Sequence, residues 1–518
     1  MFGWRIASSK LGGVPSVPLK SLRKLWRSAV PQPVRRSIAR LRARSIDYVE
    51  VLRPDLADKV ATTIRDAAAA AKLEVFLGGS TDQRPRLNFL DEAASDVATL
   101  LPRLAKTNGW RLVTQYGLAS PEDIALGRNI DVLVILDRAN DVAFASIVEI
   151  AFWSRREMMG RERWFSGRPA AHASSLPLDA DRTFSDLSTL KRGYADPLSI
   201  EFPIDVVYTW VDDSDLKWAT ERDKHAAAWG RPQTAGARAL HSERFRNRDE
   251  LRYSLRSLDM FAPWVRKIYL VTADQTPAWL DTSNPRLQVV SHREIYRHAD
   301  ALPTFNSSGI ETQLHHIPEL SEHFLYFNDD VFLGRPAKPT DFFTPAGAAK
   351  FFPSDGHAVP EHIDDQAEEY IIADKNAILM FRRDFGMSPS ALMYHTPLTA
   401  IRSVLDEMER RYQREFDACE RSKFRSSDDL RPIAFMFPYF AGINLKAVPS
   451  SIAFEYVSLR RRKLASLLAN IEAERIVTAF CLNDAGVPEE SAAEVDQLVR
   501  GFLDRYFPIP SQYERPTA

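Results

Sequence analysis

Several short segments carry residue types suited to phosphate chemistry. Phe327-Asn328-Asp329-Asp330-Val331 sets two adjacent carboxylates, with an amide before them, at a hydrophobic strand. Hard oxygen donors of this kind suit Mg²⁺ or Mn²⁺, and one or two carboxylates plus substrate phosphates commonly hold such an ion at nucleotide sites. In an alternating strand only one of the two acids can face the site. An acidic turn is the plainer reading of the same pair. Residues 304–311 gather small polar groups, including Asn306 and Ser307, ahead of Glu311. They could present a helix N-terminus to an anion, or simply cap the helix. His395 precedes a helical stretch, where it could project into a cleft as a general acid or base. Arg425, in the polar loop 424–429, could clamp phosphate through its planar guanidinium or merely face water. Asn483 and Asp484 add an amide and a carboxylate that would equally suit a helix stop. His315, His316 and His323 could form a metal cluster, but His315 and His316 point in different directions on a helix, so core or surface histidines are the plainer reading.

The elements that must position these groups follow from periodicity. Residues 204–211 form a β-branched and aromatic run ending in Asp212 and Asp213. Runs at 267–272, 287–290 and 323–333 repeat the pattern, and 249–261 has Leu251, Leu255 and Leu258 at helical spacing. Strands alternating with helices predict an α/β fold, a mainly parallel sheet flanked by helices with ligands at the carboxyl ends of the strands. Beyond residue 390 the chain reads as helical. Leu398, Ile401, Leu405, Met408, Tyr412 and Phe416 step as one long amphipathic helix, and 459–480 as another. Residues 51–200 read as a small N-terminal α/β module and linker, with 161–177 a loop. Residues 201–485 are the expected catalytic domain and 486–518 a helical tail.

The chain has 518 residues, too many for one ordinary domain, with 45% apolar and 26% charged residues. That balance excludes wholesale disorder. A net charge of -1 provides no global field for nucleic acid. Two cysteines, Cys419 and Cys481, cannot build a disulfide framework and suit a reducing compartment. No apolar stretch is long enough to span a membrane. Residues 1–44 nevertheless hold eleven Lys or Arg and no acid. This arm (1–50 as a segment) reads either as an amphipathic attachment to an anionic membrane surface or as a disordered basic tail. The expected location is cytoplasmic, peripheral at the inner face of the cell membrane. P-loop, zincin and α/β-hydrolase motifs do not occur.

In this order, the segments resemble the four characteristic blocks of the Stealth family of sugar-phosphate transferases. The first block resembles residues 204–212, although Asp213 stands where many members have Gly. The second runs from about residue 244 to 335, the third over 395–429, and the fourth matches Cys481-Leu482-Asn483-Asp484. The resemblance implies transfer of a hexose-1-phosphate or N-acetylhexosamine-1-phosphate from a nucleotide diphosphate sugar to a hydroxyl of an oligosaccharide or lipid-linked polysaccharide. It implies Asp329, with Asp330 and Asp484, as ligands of Mg²⁺ or Mn²⁺, and Glu311, His395 and Arg425 as further catalytic groups. Asp205, Trp210, Asp212, Arg252, Asn306, Ser307 and Asn483 would then line the substrate. A metal-dependent glycosyltransferase moving the sugar without its phosphate is the alternative, and an inactive scaffold a third reading.

Overall fold

The computed structural model describes residues 47–79, 84–139, 142–166, 175–177, 198–229, 247–363, 367–484 and 486–516. The basic arm, and the membrane attachment expected of it, lies outside these residues. Residues 48–177 build a sheet of nine described strands around the antiparallel pair Ile130–Ala139 and Val142–Met158. Helices Pro54–Ala70 and Ala94–Asn108 bury Ile64, Val97 and Leu101 in one core with Phe89 and Ile150. The segment expected as a loop at 161–177 instead contains two strands, Arg161–Ser166 and Ser175–Pro177, which extend this sheet. The buried Trp164 anchors the first of them, a stronger signal than the arginines around it.

The second sheet positions the candidate site. Its strands, with those of a smaller companion, are β1 (Ile204–Thr209), β2 (Ile268–Thr272), β3 (Leu287–Ser291), β4 (His323–Asn328), β5 (Val331–Leu333), β6 (Leu398–Ile401), β7 (Phe454–Ser458) and β8 (Ala479–Asn483). The larger sheet has the order β3-β2-β1-β4-β6, parallel except for β6. Parallel strands covered on both faces need near-continuous apolar runs, and β1 and β2 supply them. Val206, Val207 and Phe327 are fully buried, each stabilising the fold by roughly 1.5–3 kcal/mol. From β1 the chain builds outward through β2 and β3, then returns to lay β4 on the other side of β1. That reversal opens a crevice at the carboxyl ends of β1 and β4. Thr209 pairs with Asn328 across it.

Helices α1 (Glu250–Phe261), α2 (Ser307–Glu311), α3 (Arg402–Arg411), α4 (Gln413–Arg421), α5 (Leu464–Glu474) and α6 (Glu489–Tyr506) surround the sheets. Three expectations need correction. The strand at 323–333 breaks at Asp329-Asp330, and β5 continues in the small sheet, order β5-β8-β7. The one-acid-per-face argument therefore does not apply. The long helix from Leu398 is a strand, β6, followed by two helices that break at Tyr412 (φ -116°, ψ 35°). The helix expected over 459–480 is the shorter α5, and residues 479–480 already belong to β8. Helix α6 packs Phe502 and Tyr506 on Phe480, and the Tyr506 hydroxyl donates to the Gly334 carbonyl at 2.8 Å. The expected tail thus shares the core of the sheets. Among the described residues, no helix is long and apolar enough to cross a membrane.

Candidate active site

One half of the crevice is acidic. The Tyr208 hydroxyl meets Ser254 Oγ at 2.7 Å, and Ser254 donates to the Val331 carbonyl at 2.6 Å. These bonds hold α1 against β1 and β5, so Glu250 at its start lies close enough to Asp329 and Asp330 to couple with both. Burial, with Asp330 adding to it, pushes Glu250 up to about 7. Burial, then Glu250 and Asp330, holds Asp329 well above the ordinary carboxylate range. Three carboxylates therefore crowd one space, and their like charges raise Glu250 and Asp329 beyond what burial alone does. Asp330 Oδ1 has no hydrogen-bond partner among the described residues and lies 3.5 Å from His395 Nε2. Asp330 Oδ2 accepts from the Cys481 thiol at 3.3 Å. His395 Nε2 also accepts from the Asn328 amide at 3.0 Å.

This donor set fits a hard divalent cation. Glu250, Asp329 and Asp330 offer oxygens, and a doubly charged ion would relieve their mutual repulsion. Asp330, His395 and Cys481 also bring their ligand atoms within 4.8 Å of one another. Burial and Asp330 hold the Cys481 thiol protonated, so it suits a hard ion poorly. Asp484, expected as a metal ligand, is engaged elsewhere: its Oδ2 lies 2.7 Å from Arg248 Nη1. Arg248 also bonds Asp496 of α6 through Nε.

The other half carries cations. Arg425 Nη2 donates to Ser307 Oγ at 2.8 Å. Glu311, the buried last residue of α2, accepts from the Ile433 backbone N–H at 3.3 Å. Burial raises its pKa while Arg431 and Arg425 pull it back. Asn306 caps α2 by accepting from Ser308 N, and its amide bonds both oxygens of Asp429 at 3.1 and 3.0 Å. Burial pushes Asp429 up to about 6, against the pull of these bonds and of Arg425. Tyr326, on β4, stands between the halves. Its hydroxyl is 3.0 Å from Thr209 Oγ1, and the charges of Glu311, Arg425 and Asp329 all act on it.

Not every expected residue reaches this crevice. Asp205 sits near the amino end of β1, four residues or about 13 Å from the carboxyl end. It is fully buried there, pairing with Arg266 and accepting from Ser321 N at 2.7 Å. Arg252 packs on the Trp279 ring and faces Asp249 and Glu514. Trp210 and Asp212 follow β1 at the correct end; Asp212 folds back to accept from Ser214 N and Oγ. Asn483 ends β8 next to Asp484. Arg248, Glu250, Asp429 and Arg431 were not among the expected site residues. For the first two the sequence offers the polar string Arg246-Asn247-Arg248-Asp249-Glu250, which gathers two arginines at a helix start, and the place of both within the second block.

Four Stealth protein conserved regions match in order: region 1 over residues 202–225, region 2 over 244–351, region 3 over 394–442 and region 4 over 469–518. The exopolysaccharide phosphotransferase CpsY of Mycobacterium tuberculosis is 36% identical over 377 residues, covering 72% of this chain and 70% of its own. The chain belongs to the Stealth family. Two exopolysaccharide phosphotransferases of Streptomyces coelicolor are 41% and 42% identical over 71% and 61% of this chain; the chain spans only 40% and 58% of their lengths. A solved structure of the galactosyltransferase LgtC with donor and acceptor sugar analogs aligns at 10% identity, covering 59% of this chain and 96% of its own, with a TM-score of 0.30. Every group of the crevice lies inside a Stealth region. Asp212 falls in the first, Glu250, Glu311 and Asp329 in the second, His395 and Arg425 in the third, and Cys481 in the fourth.

Proposed function

We propose that this Stealth chain transfers a hexose-1-phosphate or N-acetylhexosamine-1-phosphate from a nucleotide diphosphate sugar to a hydroxyl of an oligosaccharide or lipid-linked polysaccharide. The observation that carries this reading is the group Glu250, Asp329 and Asp330 at the end of β4, with Arg425 beyond Tyr326. Phosphoryl transfer asks for positioning and charge neutralisation on both sides of a diphosphate, and the crevice offers both. A bound divalent cation of the Mg²⁺ or Mn²⁺ type supplies charge neutralisation at the phosphate oxygens, and the three acids are the residues to hold it. Arg425, aimed by Ser307, binds phosphate oxygens from the opposite side.

His395 takes the acceptor hydroxyl proton at Nε2 once the Asn328 amide yields that lone pair, and Asp330 steadies the resulting imidazolium. The acceptor oxygen attacks the sugar-bearing phosphorus, the bond to the nucleoside monophosphate breaks, and a phosphodiester remains. Incubating the purified chain with nucleotide sugars and oligosaccharides gives a new ³¹P phosphodiester signal. A glycoside product without phosphorus instead establishes plain glycosyl transfer. The eleven cations of residues 1–44 support placement at an anionic membrane surface on the cytoplasmic side. Unchanged membrane association after their deletion refutes it.

A further inference from the structure

We infer that His315, His316 and Glu409, with Asp406 as fourth donor, form a structural zinc site between the turn after α2 and helix α3. The two histidines occupy a tight turn, Leu314–His316, directly after α2, and the acids lie on α3. Although adjacent in sequence, both rings converge. His315 Nε2 and His316 Nε2 lie 3.1 and 3.0 Å from the same oxygen, Glu409 Oε2, and the ring centroids are 4.1 Å apart. Asp406 Oδ1 is 3.7 Å from His315 Nε2.

Proton accounting favours an ion over a simple pair. His316 Nδ1 sits 3.1 Å from the Ile295 carbonyl, which only accepts, so Nδ1 carries a proton. Without a metal, Nε2 must also be protonated to meet Glu409, making a cation whose ring centroid lies 4.1 Å from that of His315. His315 is buried, its Nδ1 has no hydrogen-bond partner among the described residues, and its Nε2 points at the same oxygen. Arg297 already lies 3.0 Å from the other Glu409 oxygen. A bound metal removes this crowding. Both Nε2 lone pairs and Oε2 then face one centre, while the bond from His316 Nδ1 to Ile295 fixes the tautomer, as outer-shell carbonyls do for zinc-bound histidines. Two imidazoles with carboxylates select zinc among abundant divalent ions, unlike the mostly oxygen donors of the crevice. The metal would staple the turn after Glu311 to α3 and so positions that residue without touching substrate.

Metal analysis of the full chain, loaded with zinc and gel-filtered, tests this. The wild type and His395→Ala retain about one zinc, as expected of a closed site, while His316→Ala and Glu409→Gln lose it. X-ray absorption of the zinc-loaded wild type, which needs no variant, shows imidazole and oxygen ligands without sulfur. A wild type that retains no zinc, a sulfur shell pointing to Cys481, or loss of zinc in His395→Ala with retention in His316→Ala overturns the site.

Discussion

Arg248 Nη1 lies 2.7 Å from Asp484 Oδ2, joining the entry to α1 with the end of β8. The guanidinium is 4% exposed and also faces Glu250 at 3.8 Å and Asp496. It is the positive charge that permits so many acids at one end of the sheet. Arg248→Ala leaves buried carboxylates without compensation and costs about 3–5 kcal/mol. Chemical denaturation reads the loss, and a change below about 1 kcal/mol, the scale of an exposed pair, contradicts this role.

Glu250 gives a pH signature. Its folded pKa of about 7 exceeds the ordinary 4.5, so the folded chain binds the extra proton between these values. Stability from this group is full below about 4.5 and is lost as pH rises through 7. With metals chelated, the thermal midpoint of the wild type falls across this window, and Glu250→Gln falls less. Adding Mg²⁺ restores the wild type most at the upper end.

Arg425→Lys replaces a planar fork by a point charge beside Ser307. Turnover drops about 10²–10³-fold, the cost of losing an oriented donor at developing charge. The thermal midpoint stays close to that of the wild type, since Arg425 is half-buried and sits in a loop. Steady-state kinetics showing a change only in KM contradicts a transition-state role.

Asp205 belongs to the fold. Asp205→Ala removes the partner of Arg266 and of Ser321 N–H and destabilises by about 2–3 kcal/mol, moderated because Arg266 is partly solvated. Turnover per folded molecule is unchanged. A selective loss of nucleotide affinity in a stably folded variant returns Asp205 to the site.

These cases show what the sequence makes legible. The runs of β1, β2 and β4 are apolar because both faces are covered, so the sheet and the acids at its exits can be read directly. Asp205 shares a motif with Asp212, but only strand direction separates the end that faces the crevice from the end that faces Arg266. Leu398–Ile401 continues the helical spacing of Leu405 and Met408 by coincidence, because a four-residue buried strand has too few positions to show its own period. Glu250 looks like an ordinary acid in the first turn of a helix. Its burial against Asp329 depends on contacts such as Tyr208 to Ser254, which no local pattern encodes.

Manganese binding, followed by electron paramagnetic resonance with a nucleotide diphosphate sugar present, addresses the acidic group most directly. The wild type holds Mn²⁺ and its free-ion signal collapses, whereas Asp329→Asn, folded to the same thermal midpoint, leaves most of the ion free. Equal binding by Asp329→Asn and wild type would contradict a cation held by Glu250, Asp329 and Asp330.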